Sequence, residues 1–276
     1  MIEIFDDIRE IYDFSLPCEA LRYYIEFFSE SSPGRTSELV RGEEFTVEMF
    51  PSWTPTFWIN LGAPYRLITA AGVRDVASDS DVLVLRDTLT TRYNLPTDHL
   101  FTVKFYPGGL EAVLGISQTN FSGKITSLKG VLPDTLLTRV KRADSFGSRM
   151  ALLENFFLSR LSRRPTTDHY VQLVRDSIGL FEEAEWRPNT GEVAERMFVH
   201  SKTINRYFHS VIGLPPKKYF GILRARAALS AYVASRKMFD ATAFGYYDHS
   251  HFRKEVAAFT GRKLSEFYLP GTRDGP

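Results

Sequence analysis

The chain has a single cysteine, Cys18, in 276 residues. One thiol excludes an internal disulfide framework and fits a reducing compartment. It is read here as a small buried hydrophobe. Nowhere do the roughly 18 consecutive apolar residues of a membrane span occur. Residues 1–10 carry acids and no long apolar run, so no signal peptide is expected. A glycine-rich phosphate loop, a nucleophile elbow and a Cys-X-X-Cys pair are also missing. His249 and His251 lie two apart and diverge on a helix, so they cannot share a metal as i,i+4 ligands do. His200 and His209 are too far apart for that pairing, and residues 1–130 offer only His99. Asp79, Asp81, Asp87 and Asp98 sit between hydrophobic strands and are read as solvated turn residues. No metal, cofactor or catalytic set is therefore expected, and the chain is not read as an enzyme. A cytoplasmic protein that avoids membranes is the expectation.

Apolar residues, by contrast, are plentiful. With 43% hydrophobic and 14% aromatic residues the chain can bury a large core, which excludes a disordered protein. Its length allows two domains. The net charge of +1 conceals an asymmetry. Residues 187–270 hold 14 lysines and arginines against 6 acids, a net of +8, whereas residues 1–186 hold 19 against 26, a net of −7. A basic part beside an acidic one implies that only the C-terminal part meets a polyanion.

Residues 1–130 read as mostly β. Residues 43–50 alternate, with Phe45, Val47 and Met49 on one side. Residues 55–61 set Phe57, Ile59 and Leu61 against Thr56, Trp58 and Asn60. Residues 82–85 form a short apolar strand, and residues 100–105 alternate Phe101, Val103 and Phe105 with Thr102 and Lys104. Turn chemistry separates these runs at Ser32-Pro-Gly34, Gly62-Ala-Pro64, Asn94-Leu-Pro96 and Pro107-Gly-Gly109. Short strands so punctuated predict a barrel or sandwich. Trp53, Phe57, Trp58, Tyr65 and Phe101 supply aromatic bulk. Phe57 and Trp58 must face opposite ways, and the rest are expected to fill the interior and leave no deep small-molecule cavity.

From Pro133 the period becomes helical, with Leu136, Leu137 and Val140. Residues 148–161 carry Met150, Leu153, Phe156, Phe157 and Leu161 on one stripe, read as buried in its own domain, with a subunit seam as the alternative. A polar stretch at 162–167 marks the expected domain boundary. Residues 169–179 predict a helix with Tyr170, Leu173, Val174 and Ile178 inward. Residues 217–233 predict a long one, on Tyr219, Leu223, Ala227 and Ala231 at four-residue steps.

Two helix-turn-helix units are predicted between residues 189 and 268. In the first, a short helix at 192–197 bears Val193, Ala194 and Met197. After a break at Phe198 and Val199, Ile204 and Phe208 anchor a second helix whose Lys202, Asn205 and Arg206 look outward. In the second, Ala241 and Phe244 precede Gly245, suited to a positive φ. Asp248 then N-caps a helix that buries Phe252, Val256 and Phe259. Gly213 and Gly261 close the units. No apolar pattern marks a helix at 236–240. Arg and Lys can contact guanine, Asn adenine, and Ser or His several acceptors.

Ala194, the run Thr203-Ile-Asn-Arg-Tyr-Phe208, Gly213-Leu-Pro-Pro-Lys-Lys-Tyr219, Arg224 with Ala228, and Gly245-Tyr-Tyr-Asp-His-Ser-His-Phe252 resemble, in order, the DNA-binding domain of AraC/XylS-type transcription regulators. The N-terminal layout is similar to the small-barrel domain of many such regulators. The resemblance implies an α+β protein. An N-terminal β-rich, barrel-like sensing or dimerisation domain with flanking helices would span 1–162. A C-terminal all-α domain with two helix-turn-helix units joined by a long helix would span 166–270. Carried over residue by residue, the DNA-binding positions are Ser201, Lys202, Thr203, Asn205, Arg206, His249, Ser250, Arg253 and Lys254. Lys217, Lys218, Arg262 and Lys263 would add phosphate contacts. The implied partner is double-stranded DNA. RNA polymerase, a small-molecule effector and a second copy of the chain are further partners the resemblance admits. The rival reading is a small-molecule-binding barrel whose basic helical tail is a protein-interaction module.

Overall fold

The computed structural model describes residues 10–161 and 169–267. Residues 162–167, where a domain boundary is expected, lie outside the described residues, as does Tyr268.

The N-terminal half is two antiparallel sheets. Its strands are β1 (Tyr12–Ser15), β2 (Ile25–Ser31), β3 (Phe45–Met49), β4 (Thr56–Asn60), β5 (Tyr65–Thr69), β6 (Gly72–Val76), β7 (Val82–Val84), β8 (Thr90–Asn94), β9 (Leu100–Phe105) and β10 (Ile125–Ser127). Six of them pair in the order β1-β2-β9-β4-β7-β10 and four in the order β3-β8-β5-β6. The central strands β4 and β9 are buried on both faces, and their alternation sorts two different cores. Phe57, Ile59, Phe101, Val103 and Phe105 face outward, beneath helices. Trp58 and Leu100 face inward, toward Val47, Met49, Tyr65 and Leu67 of the smaller sheet.

Helix α1 (Pro33–Leu39) starts where the sequence predicts a turn. Ser32 Oγ accepts from the Arg35 N–H at 3.5 Å and Pro33 takes the first helical position, so Ser-Pro-Gly here is a helix start. Helix α2 (Gly109–Leu114) follows the predicted Pro-Gly-Gly turn. Helices α3 (Asp134–Arg142) and α4 (Phe146–Leu161) cover the outer face of the larger sheet. Phe157 packs edge-on to Phe105 at 5.7 Å and Leu153 is buried with it, while Met150, Phe156 and Leu161 of the α4 stripe are only partly covered.

The C-terminal half is helical: α5 (His169–Glu183), α6 (Thr190–Arg196), α7 (Ser201–Val211), α8 (Pro216–Ala234) and α9 (His249–Thr260). Helix α5 buries the predicted Val174 and Ile178 together with Val171 and Phe181, while the predicted Tyr170 and Leu173 are only partly buried at the edge of the same core. Helix α8 likewise buries Tyr219, Phe220, Ile222, Ala225, Leu229 and Tyr232, leaving Leu223, Ala227 and Ala231 half-buried. In both cases partners on two sides widen and rotate the stripe that a four-residue step suggests. Among the described residues no helix is long and apolar enough to cross a membrane.

Two aspartates correct the reading of solvated turns. Asp81 is buried and takes the Lys141 ammonium at 2.9 Å and the Asn60 N–H at 2.9 Å. Asp98 is buried against Arg92 at 2.6 Å. A buried carboxylate needs a paired charge, and both partners come from sequence-distant or polar segments that no local pattern reveals. Cys18 is half-buried beside the outer core.

Candidate nucleic-acid interface

Each predicted helix-turn-helix unit closes through the same turn. Helix α6 opens on a capping box: Asn189 Oδ1 accepts from the Gly191 and Glu192 N–H groups, at 2.8 and 3.1 Å, and Glu192 Oε2 accepts from the Asn189 N–H at 3.0 Å. It ends as the Val199 N–H reaches back to the Ala194 carbonyl at 3.0 Å over Phe198, whose φ is 55°. In the second unit the Tyr246 N–H reaches back to the Ala241 carbonyl at 3.3 Å over Gly245, whose φ is 75°. The bond spans five residues both times, and a left-handed residue makes the reversal. The leading element differs. Where α6 leads the first unit, a single 3-10 turn, Ala241–Phe244, leads the second, capped by Asp240 Oδ1 accepting from the Thr242 N–H at 2.9 Å. The unpatterned stretch at 236–240 forms no helix.

Helix α7 then buries Ile204, Phe208 and Val211, and α9 buries Phe252, Val256 and Thr260; Phe259 is only partly covered. Asp248 Oδ1 caps α9 by accepting from the His251 N–H at 2.7 Å. His200 stands at the N-cap of α7 without a side-chain cap. Gly213 and Gly261 both take positive φ after their helices. Helix α8 holds the units together. Its first turns pack Phe220 on Phe208 at 5.3 Å, and its last turns pack Tyr232 on Phe252 at 5.8 Å. Arg224 adds a bond to Glu255 of α9 at 3.3 Å.

The opposite face of each second helix is polar and open. Ser201, Lys202 and Arg206 are exposed on α7, with Thr203 and Asn205 half-buried beside them. His249, Ser250, Arg253 and Lys254 are exposed at the start of α9. Asn205 Nδ2 donates to the Ser201 carbonyl at 2.8 Å, so a bidentate adenine contact requires that bond to be released. The Arg206 guanidinium lies 5.0 Å from the Tyr207 ring centre. Lys217, Lys218 and Lys263 are exposed, whereas Arg262 is half-buried and ion-paired with Glu48 of β3.

The β-half touches both units. Gln118 is fully buried; its Nε2 donates to the Trp53 carbonyl at 3.0 Å and to the Ile212 carbonyl, at the end of α7, at 3.4 Å. Its Oε1 accepts from the Gly108 N–H at 3.1 Å. Phe50 packs against Phe259 and Phe267 of the second unit, at 5.5 and 5.6 Å, and Arg226 of α8 donates to the Phe50 carbonyl at 3.2 Å.

Between the sheets lies a cavity of about 300 Å³, which overturns the expectation of a filled interior. Of the five aromatic residues singled out, only Trp58 and Tyr65 point between the sheets. Phe57 and Phe101 belong to the outer core, and Trp53 sits where the two halves meet. Val47, Met49, Trp58 and Leu100 give the cavity apolar walls. Arg86, Arg92, Lys104 and Arg226 also line it, with Lys104 ion-paired to Glu26 at 3.0 Å and Arg92 to Asp98 at 2.6 Å, and Ala227 and Ser230 of α8 close one side. Burial opposes the charge of Arg92, but Asp98, Tyr12 and Tyr65 more than offset this and hold the guanidinium protonated. Burial pushes the Tyr12 hydroxyl up to about 12, against the pull of Arg92. The run Thr90–Asn94 carries no apolar pattern, so the sequence marks neither the strand β8 nor Arg92 as part of a cavity wall. Among the described residues no group of three or more His, Cys, Asp or Glu is placed to hold a metal ion.

No family model and no curated protein sequence matches the chain. Among solved structures it is similar to ToxT from Vibrio cholerae, with a TM-score of 0.45 and 12% identity over 82% of this chain and 97% of that one. It is similar to wild-type ToxT from strain SCE256 with an unsaturated fatty acid bound, at a TM-score of 0.44 and 14% identity over 84% and 94%. The AraC-like transcriptional activator CuxR gives a TM-score of 0.31 and 12% identity over 82% and 88%. None is close enough for a residue of it to be carried onto this chain.

Proposed function

We propose that this chain is a transcription regulator of the AraC/XylS type that binds duplex DNA through α7 and α9. The observation that carries the reading is the repeated turn, Val199 to Ala194 and Tyr246 to Ala241, each leading into a helix with an open polar face. Recognition helices of this class present their N-terminal residues to base edges, and two of them on one duplex need to lie about 34 Å apart. Helix α8, 19 residues long and packed into both units, is the rigid connector that such spacing requires. Lys202, Asn205 and Arg206 would read bases from α7, and His249, Ser250, Arg253 and Lys254 from α9. Ser201, Thr203, Lys217, Lys218 and Lys263 would grip phosphates. In this reading residues 166–270 form the DNA-binding domain and residues 1–162 the regulatory one.

The cavity supports a small-molecule effector. Apolar walls beside donor groups already held by partners suit a compact molecule with an apolar body and an acceptor-bearing end, which would compete with Glu26 for Lys104. Because α8 closes the cavity, such a ligand would act on the element that spaces the two reading helices.

The test is binding of the full chain to duplexes selected by it from a random-sequence library. Affinity should fall steeply with salt, with a log–log slope of several units if about six phosphates are neutralised. A flat salt response, or no enrichment of any duplex, would sink the reading. For the effector, a thermal-shift screen of aliphatic and aromatic carboxylates should give a saturable rise in melting temperature that Lys104→Met or Trp58→Ala abolishes.

A further inference from the structure

Among the described residues of the helical half, Phe198, Met238 and Tyr247 are the large apolar side chains left exposed, and two of them are aromatic. Phe198 is 96% exposed and Tyr247 88% exposed, in a domain whose other aromatics are mostly covered. Each precedes a reading helix directly: Phe198 lies two residues before the N-cap His200 of α7, and Tyr247 one before the N-cap Asp248 of α9. Phe198 also holds φ at 55°, where a bulky residue is a genuine outlier. Its counterpart Gly245 makes the same reversal at 75° without that cost, and at Gly245 a side chain would crowd the Trp186 carbonyl at 3.2 Å. Position 198 therefore accepts a strain that glycine would relieve, and the side chain gains almost no burial within the chain. A local strain maintained with no internal return points to an intermolecular contact.

We propose that Phe198 packs on the sugar edge of the DNA major groove beside the start of α7, and that Tyr247 does the same at α9. The inference rests on the DNA-binding reading above. When a reading helix enters the groove N-terminus first, the turn feeding it stands over the strand that borders the groove. The apolar groups available there are deoxyribose carbons and thymine methyls. Around Phe198 the charge suits a polyanion: residues 193–212 hold Arg196, Lys202 and Arg206 against the single acid Glu195. An aromatic placed there adds apolar contact area at low conformational cost, without a charge.

The experiment uses the full chain on a labelled duplex recovered by selection from a random-sequence library, titrated at several salt concentrations. Phe198→Gly should bind about tenfold more weakly, the loss expected for one aromatic contact. Its salt slope should stay that of the wild type, since no phosphate contact is lost. Its melting temperature should be no lower than wild type, because the left-handed residue is now glycine. Phe198→Trp should restore affinity to within about twofold, and Tyr247→Ala should weaken binding severalfold. Arg206→Ala serves as the reference, losing affinity and about one unit of slope if it contacts phosphate as well as base. Wild-type affinity in Phe198→Gly, with Arg206→Ala impaired, would overturn the aromatic contact and leave the DNA-binding reading standing; the exposed ring would then serve a protein partner. Failure of the wild type to enrich any duplex would overturn both.

Discussion

Arg262, at the end of α9, is ion-paired with Glu48 on β3 of the smaller sheet. A residue the resemblance assigns to phosphate thus already has a carboxylate, supplied by the other half of the chain. DNA and the sheet would compete for it. Glu48→Gln is expected to raise DNA affinity by about threefold and to steepen the salt slope, because one more cation becomes available. Anisotropy titrations of the two proteins at matched salt decide it; unchanged affinity would mean that Arg262 stays out of the complex.

The two units should not contribute equally. The first rests on α6 with its capping box, the second on one 3-10 turn. A poorly supported helix loses part of its binding free energy to ordering. Arg206→Ala should therefore cost more affinity than Arg253→Ala, by about tenfold if the first is a full base contact. Equal losses at fixed salt would show that α9 is as well held as α7.

Gln118 ties the sheets to the end of α7 through Trp53, Ile212 and Gly108. Gln118→Ala leaves those backbone groups without their side-chain partner, and removing such a hub costs about 3 kcal/mol in stability. Gly108→Ala attacks the same seam sterically. Its φ is +75°, and a Cβ there would sit 2.7 Å from Val171 and 2.9 Å from Val211. Chemical denaturation should show both variants destabilised.

Asp81 carries the pH dependence most open to test. Burial raises its carboxyl above the ordinary range, against the opposing pull of Lys141 and the Asn60 N–H. For an acid whose folded value is raised, the folded state binds more protons between the unfolded and folded values, so the site's contribution falls as pH rises through them. Lys141→Met should widen this gap. Its cost should be largest at neutral pH, about 3 kcal/mol for a broken buried pair. It should shrink in acid as Asp81 takes a proton. Urea melts of both proteins across that range test the sign; a pH-independent difference would place the loss in packing instead.

Much of the helical half was legible in the sequence. Capping residues, the Ile204–Phe208 and Phe252–Val256 pairs and the positive-φ glycines are local signals, and each acts within about one turn of itself. The same is true of β9, whose bounds match the alternating run at 100–105. The sheets were harder. Strands β5, β6 and β8 are short, and half of their residues meet solvent or the cavity, so their polarity hides them. The buried faces of α5 and α8 are wider than the predicted stripes, Val174, Ile178 and Tyr219 being buried as expected, because each helix is covered from more than one direction.

By itself, the sequence determined what local chemistry can determine: where helices start and stop, which strand face is apolar, that charge divides between the halves, and that two turn-linked helices repeat. Tertiary structure alone decided which long-range partners meet. It brought Arg92 to Asp98 between the sheets, Lys141 to Asp81, Gln118 to the end of α7 and Glu48 to Arg262. It also opened a cavity where aromatic content suggested a filled core. A residue count fixes how much volume is present, but only the direction of each strand face decides on which side of the sheet that volume is placed.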